Sequence, residues 1–309
     1  MNSSVRLPGA VIDTTRLGFG CSHLVGGWDR KSSLRLVGAA LDAGYRHFDV
    51  APAYGMGTAE AILGEALNGA RDTVTIASKI GISRPRHGGW LLAARSAARP
   101  IRKLIPSLSR SVGASAYAAA VGRGLFDIPG ATRSLAESRR ALRTKYLDLL
   151  LLHEVTWEDI TDELLRFLER QKESGLVGAI GTATSRASTR EILERHPGFF
   201  DVHQYEWDPL DLLEGRGFPI LHGVAKSSVG GIENSLKWAS WLSTQVGSEL
   251  SPSELLGATF AYALASGAGI VLVSSRSIRR IVENAKVLDD PKLVEMGRLL
   301  YAAYQGASL

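Results

Sequence analysis

The sequence predicts an α/β chain folded as a (β/α)8 barrel of the TIM type, and three observations carry that expectation. Short apolar runs occur eight times, at 17–20, 45–50, 74–78, 147–152, 177–181, 202–205, 219–223 and 270–273. Several are continuous rather than alternating, as in parallel strands buried on both faces. Helical patterns separate most of them. The rival arrangement, an open doubly wound sheet, lacks its usual sign, because no GxGxxG follows an early strand.

Taken in order, the first run is LGFG (17–20). Segments 32–43 and 58–68 then place apolar residues three and four apart, the period of a helix with one buried face. Runs 45–50 and 74–78 lie beside them. Segment 132–144 repeats the helical spacing before LDLLLL (147–152), and 159–174 does so before 177–181. Ser251, Pro252 and Glu254 open a later helix with a cap, an early proline and a box-forming glutamate. The tail from Pro291 to about Tyr304 reads as an extra C-terminal helix.

The chain has 309 residues, 45% hydrophobic and 22% charged, enough for one barrel domain over 1–309 with insertions. Its net charge of +5 is uneven. Segment 83–130, after the third strand, carries eight Lys/Arg and one acid, a net of +7, leaving −2 for the rest. The basicity belongs to one insertion, so a nucleic-acid partner is not expected. The insertion is expected to be a lid at the mouth of the active site. Its stretch WLLAARSAARPIRKLIPSL (90–108) could also lie along an anionic membrane, but Pro100 interrupts it and the lid is favoured. The lone Cys21 fits a reducing cytoplasm, and no signal-peptide-like core or membrane-length apolar run is present. The histidines show no metal-ligand spacing, so no metal is expected. Oligomeric state is not legible.

Polar residues stand at the C-terminal ends of the expected strands. Asp49 ends YRHFD, Lys79 ends VTIASK, His153 ends LDLLLLH and Gln204 ends DVHQ. That barrel edge is where separate strands pool side chains for chemistry. Tyr54 lies on the following loop, APAYG. Any one of these residues alone would be a helix cap, a rim hydrogen bond or a loop anchor. Together they suit proton transfer to a carbonyl that accepts hydride. A tyrosine with a pKa of about 10 is a sluggish acid until a nearby ammonium stabilises its anion. Asp49 can hold the lysine, and His153 can donate to the carbonyl oxygen.

From about Arg16 to Leu288 the chain resembles the aldo-keto reductases. The resemblance rests on DAGYRHFDVAPAYGMGTAEAILGEAL (42–67), IASKIG (76–81) and SLAESRRALRTKYLDLLLLHE (134–154). It implies a nicotinamide-dependent oxidoreductase with Asp49, Tyr54, Lys79 and His153 as the catalytic set. It also implies cofactor positions. Gly20, Cys21 and Ser22 lie at the nicotinamide end, and Gln204 matches a residue that holds the carboxamide. In VLVSSRSIRRIVENAKVL (271–288), Ser274, Ser275, Arg276, Arg280, Glu283 and Asn284 match contacts to the 2′-phosphate or adenine. The arginines favour NADP(H) over NAD(H).

Two departures concern the nicotinamide grip. IGTAT (180–184) stands where the family has an IGVSN-like run, leaving Thr184 as a donor in place of an amide. His222 stands near the position of a stacking aromatic. FDIPGATRSL (126–135) resembles the branch of sugar and pyridoxal dehydrogenases, a clue towards lactol or small carbonyl substrates. Substrate choice is expected to lie in loops 84–130 and 224–233. The competing expectation is a non-catalytic, nucleotide-binding regulatory subunit.

Overall fold

The computed structural model describes residues 3–85, 122, 124–209, 213, 217–225 and 232–306. Its centre is a closed barrel of eight parallel strands: β3 (Leu17–Gly20), β4 (His47–Asp49), β5 (Thr75–Ile80), β6 (Leu147–His153), β7 (Val177–Ala183), β8 (Val202–Glu206), β9 (Phe218–His222) and β10 (Ile270–Val273). β10 closes onto β3, with Val271 opposite Leu17. All eight expected runs are barrel strands, and among the described residues helices follow seven of them.

Strand alternation explains the two apolar cores. Ala77, Leu149, Leu151, Ala179, Val202, Ile220 and Ile270 point inward and fill the barrel. Their neighbours, such as Ile76, Leu150, Ile180 and Val271, point outward against the helices. Side chains alternate along a strand. Residues two beyond an inward core residue therefore face the barrel axis one layer higher. Lys79 follows Ala77 in this way, His153 follows Leu151, Gln204 follows Val202 and His222 follows Ile220.

A short antiparallel hairpin, β1 (Ser4–Val5) with β2 (Thr14–Thr15), precedes the barrel and was not expected from the sequence. Leu7 from its loop joins the barrel's inner core. Thr14 accepts from Thr75, whose hydroxyl also meets the His47 ring at 2.9 Å. The N-terminal end of the barrel is thus closed by buried hydrogen bonds as well as by leucine.

Helix boundaries differ from the sequence reading where caps intervene. The segment expected as a helix from 132 begins instead at Ile128, because Asp127 caps it by accepting from the Gly130 N–H and Pro129 occupies its first turn. FDIPG is therefore helix-starting chemistry. The helix expected from 159 begins at Asp162, capped by Thr161, and Asp159 belongs to a preceding 3-10 turn. The capping box of Ser251 and Glu254 and the terminal helix Pro291–Gly306 are present.

The ends of the long insertion meet beside the barrel. Gly81 and Leu125 form an antiparallel bridge, and Ser83 N donates to Gly122 O at 3.0 Å. The stretch 90–108, and with it the expected lid and membrane surface, lies outside the described residues. Among the described residues no helix is long and apolar enough to cross a membrane.

Candidate active site

A cavity of about 630 Å³ opens at the C-terminal end of the barrel. Asp49, Tyr54, Lys79 and His153 all line it, together with Gly20, Ser22, Thr184, Gln204, His222 and Ser274. Residues scattered across the sequence converge because each strand contributes its last inward position.

At the cavity floor, the buried Lys79 ammonium donates to the Asp49 carboxylate and, at 3.2 Å, to the Val50 carbonyl. The same ammonium lies 5.4 Å from the centre of the Tyr54 ring. The Tyr54 and His153 rings meet edge to face, 5.9 Å apart at 85°. A phenol, an ammonium paired with a carboxylate, and an imidazole thus share one wall.

The backbone holds Tyr54 in place through unusual geometry. Gly55, Met56 and Gly57 follow it with φ of 59°, 58° and 84°. Glycine tolerates this left-handed region, whereas methionine adopts it at a cost. A Cβ on Gly55 would lie 1.8 Å from the Leu24 carbonyl oxygen, so the turn is pressed against the first βα loop. Thr58 accepts from the Gly26 N–H at 2.8 Å and fastens the two loops together.

Gln204 is buried, and its Oε1 has no hydrogen-bond partner among the described residues. A buried amide oxygen left so is costly unless a ligand donor meets it. The nearby Thr184 hydroxyl donates to the Val155 carbonyl at 2.8 Å, which leaves its oxygen as an acceptor towards the cavity. The expectation that it donates to a ligand is therefore revised.

Other expected residues fall outside the cavity lining. The Cys21 thiol is fully buried, contacts the Phe19 carbonyl, and is pushed well up in pKa by burial and then by Asp49. Ser275, Arg276, Arg280, Glu283 and Asn284 sit on the loop and helix after β10. That helix, Ile278–Ala285, is capped by Ser277. Arg276 and Arg280 are exposed, and Glu283 pairs with Arg279. Ser275 is engaged locally, its hydroxyl accepting from the Ser277 N–H. These residues lie beyond the rim next to Ser274, whose hydroxyl donates to Gly20 O at 2.9 Å.

Sequence reasoning missed His23, Glu154, Ser185, Glu206 and Leu272, all of which line the cavity. Glu206 and Leu272 were legible, being two residues beyond Gln204 and Ile270. His23 directly follows GFGCS, and its imidazole is held below its usual range by burial and then by Arg276. Arg276 is therefore close enough to His23, at the cavity lining, for its charge to be felt there. Glu154 adopts φ 55°, a conformation no sequence pattern announced.

The profile of the Aldo/keto reductase family matches residues 16–219. The oxidoreductase YqkF of Bacillus subtilis is 25% identical over 210 residues, 64% of this chain and 57% of YqkF. The aldo-keto reductase YhdN of the same organism is 28% identical over 181 residues, 56% of this chain and 44% of YhdN. The chain thus spans about half the length of these curated relatives. Among solved structures, an aldo-keto reductase from Klebsiella pneumoniae in complex with NADPH superposes with a TM-score of 0.65 and 20% identity, covering 97% of this chain and 95% of the other.

Proposed function

Because the chain belongs to the aldo/keto reductase family, we propose that it is an oxidoreductase moving a hydride between a nicotinamide dinucleotide and a small carbonyl, alcohol or lactol substrate. The observation that carries this reading is the buried Lys79–Asp49 pair beside Tyr54 and His153 in one cavity.

The residues present fit the cofactor. The buried Oε1 of Gln204 is an acceptor awaiting a donor, which the carboxamide of a nicotinamide provides. Thr184 offers a second acceptor, and Gly20, Ser22 and His222 border the same space. When bound, the nicotinamide ring supplies or accepts the hydride. The protein's own groups handle the proton. Tyr54 gives its phenolic proton to the oxygen that gains negative charge, or takes it back in the oxidative direction. Lys79 stabilises the resulting tyrosinate, and Asp49 holds the ammonium in position. His153 donates to the substrate oxygen and orients it.

NADP(H) is favoured over NAD(H), because Arg276 and Arg280 flank the capped start of helix Ile278–Ala285. An N-terminus with two guanidiniums suits a 2′-phosphate. The NADPH bound to the Klebsiella relative agrees with that choice. The family match ends at residue 219, before this helix, so the cofactor preference rests on the residues themselves.

The test is turnover with NADPH and with NADH against aldehydes, ketones, aldoses and pyridoxal. Reduction of at least one class, faster with NADPH at equal concentration, is expected. Tight NADPH binding without turnover of any class would instead indicate a nucleotide-binding regulatory subunit.

A further inference from the structure

We propose that Arg84 is a positioning residue for Tyr54, clamping the left-handed turn beside the tyrosine to the strand that carries Lys79. This rests on Tyr54 acting as the acid.

The turn Gly55–Met56–Gly57 is not locally stable, since three successive residues have positive φ and one of them is methionine. Tertiary contacts must hold it. On one side are Leu24 and Thr58, as described above. On the other side is Arg84. Its Nη1 donates to the Gly57 carbonyl at 2.6 Å, and its Nη2 donates to the Glu60 carboxylate at 2.6 Å. Its aliphatic stem lies so close that a Cβ on Gly57 would come within 2.8 Å of Arg84 Cγ.

Glu60 makes the clamp consequential. It is wholly buried, and its other oxygen accepts from the Ser78 hydroxyl at 2.7 Å. Ser78 is the outward neighbour of Lys79 on β5. The chain of contacts Gly57–Arg84–Glu60–Ser78 therefore fixes the turn behind Tyr54 relative to the backbone of Lys79. Arg84 itself stands just beyond β5, so the clamp closes a short loop of chain. A guanidinium suits this post because its fork reaches a carbonyl and a carboxylate at once, which an ammonium does not do in the same geometry. Ser78 and Glu60 are not among the residues that line the cavity, so the clamp acts through the tyrosine.

Removing Arg84 alone leaves a buried carboxylate unpaired and can unfold the chain. The informative variants are therefore Arg84→Lys and the double variant Glu60→Gln with Arg84→Met, which removes both charges. Two readouts are needed. The first is titration of Tyr54 carrying a ring-carbon NMR label, assigned by its loss in Tyr54→Phe. The second is the pH profile of kcat for an aldehyde, with NADPH affinity followed by fluorescence. In the folded double variant the Tyr54 pKa should rise by roughly half a unit or more as the ring moves from Lys79. Turnover should fall by about tenfold, NADPH affinity should change less than twofold, and Arg84→Lys should fall between. In a Tyr54→Phe background the double variant should cost nothing further in kcat. An unmoved tyrosine titration in a folded double variant, or a full additional loss in the Tyr54→Phe background, overturns the positioning role. If no carbonyl substrate is turned over at all, the proposed activity fails, while the titration still decides whether Arg84 positions Tyr54.

Discussion

The Lys79 ammonium donates to the Asp49 carboxylate inside the barrel, where the two side chains are 1% and 4% exposed. A pair so far from water persists because each partner neutralises the other and the Val50 carbonyl accepts a further hydrogen bond from the ammonium. The ammonium lies 5.4 Å from the centre of the Tyr54 ring, where the proposed mechanism uses it to stabilise negative charge on the phenol.

The first prediction follows from that arrangement. Tyr54→Phe keeps the ring and its edge-to-face contact with His153 but removes the transferable proton. Turnover should drop by on the order of 10² or more, with NADPH affinity nearly unchanged. Steady-state kinetics with a demonstrated isotope effect on hydride transfer checks this. Near-native turnover would remove Tyr54 from the chemistry.

Gln204 provides a second. With Oε1 lacking a partner among the described residues, Gln204→Ala should weaken cofactor binding by about 3- to 10-fold, the worth of one hydrogen bond. Fluorescence titration measures it. An unchanged dissociation constant would mean the amide does not meet the carboxamide.

Arg280 discriminates between cofactors. Arg280→Ala should cost NADPH about tenfold or more, since charge-assisted hydrogen bonds contribute roughly 1.5–3 kcal/mol. NADH affinity should change less than about twofold, because it offers no 2′-phosphate for the same bonds. Equal losses for both would show that the side chain does not read that phosphate.

Stability should depend on pH through two buried histidines. Burial pushes the His47 and His203 imidazoles down to about 4. The unfolded chain protonates them near the usual value of about 6.5. Unfolding therefore takes up protons between those limits. Stability falls as pH drops through this window, by roughly 1.4 kcal/mol per unit for each residue. Urea midpoints at pH 7 and pH 5 should differ accordingly, and His203→Gln should flatten the dependence. Equal midpoints in the native chain would contradict the burial effect.

The sequence alone determined the barrel, its eight strands and the four polar residues at their ends. The reason is that parallel strands buried on both faces leave continuous apolar runs, and the active edge of a barrel coincides with the ends of those runs. It also carried the family motifs that contain Asp49, Tyr54, Lys79 and His153. Tertiary structure decided what depends on contacts distant in sequence. The N-terminal hairpin, whose strands of two residues each are too short to show a period, closes the barrel through Leu7 and Thr14. The start at Ile128 depended on Asp127 turning its side chain back to Gly130, which set the helix four residues earlier than its apolar spacing announced. The Thr184 hydroxyl proved to face Val155 as donor, and the Cys21 thiol to lie behind the cavity wall. Hydrogen-bond direction and side-chain burial are properties of packing, and a linear pattern of apolar and polar residues specifies only which face of an element each side chain occupies.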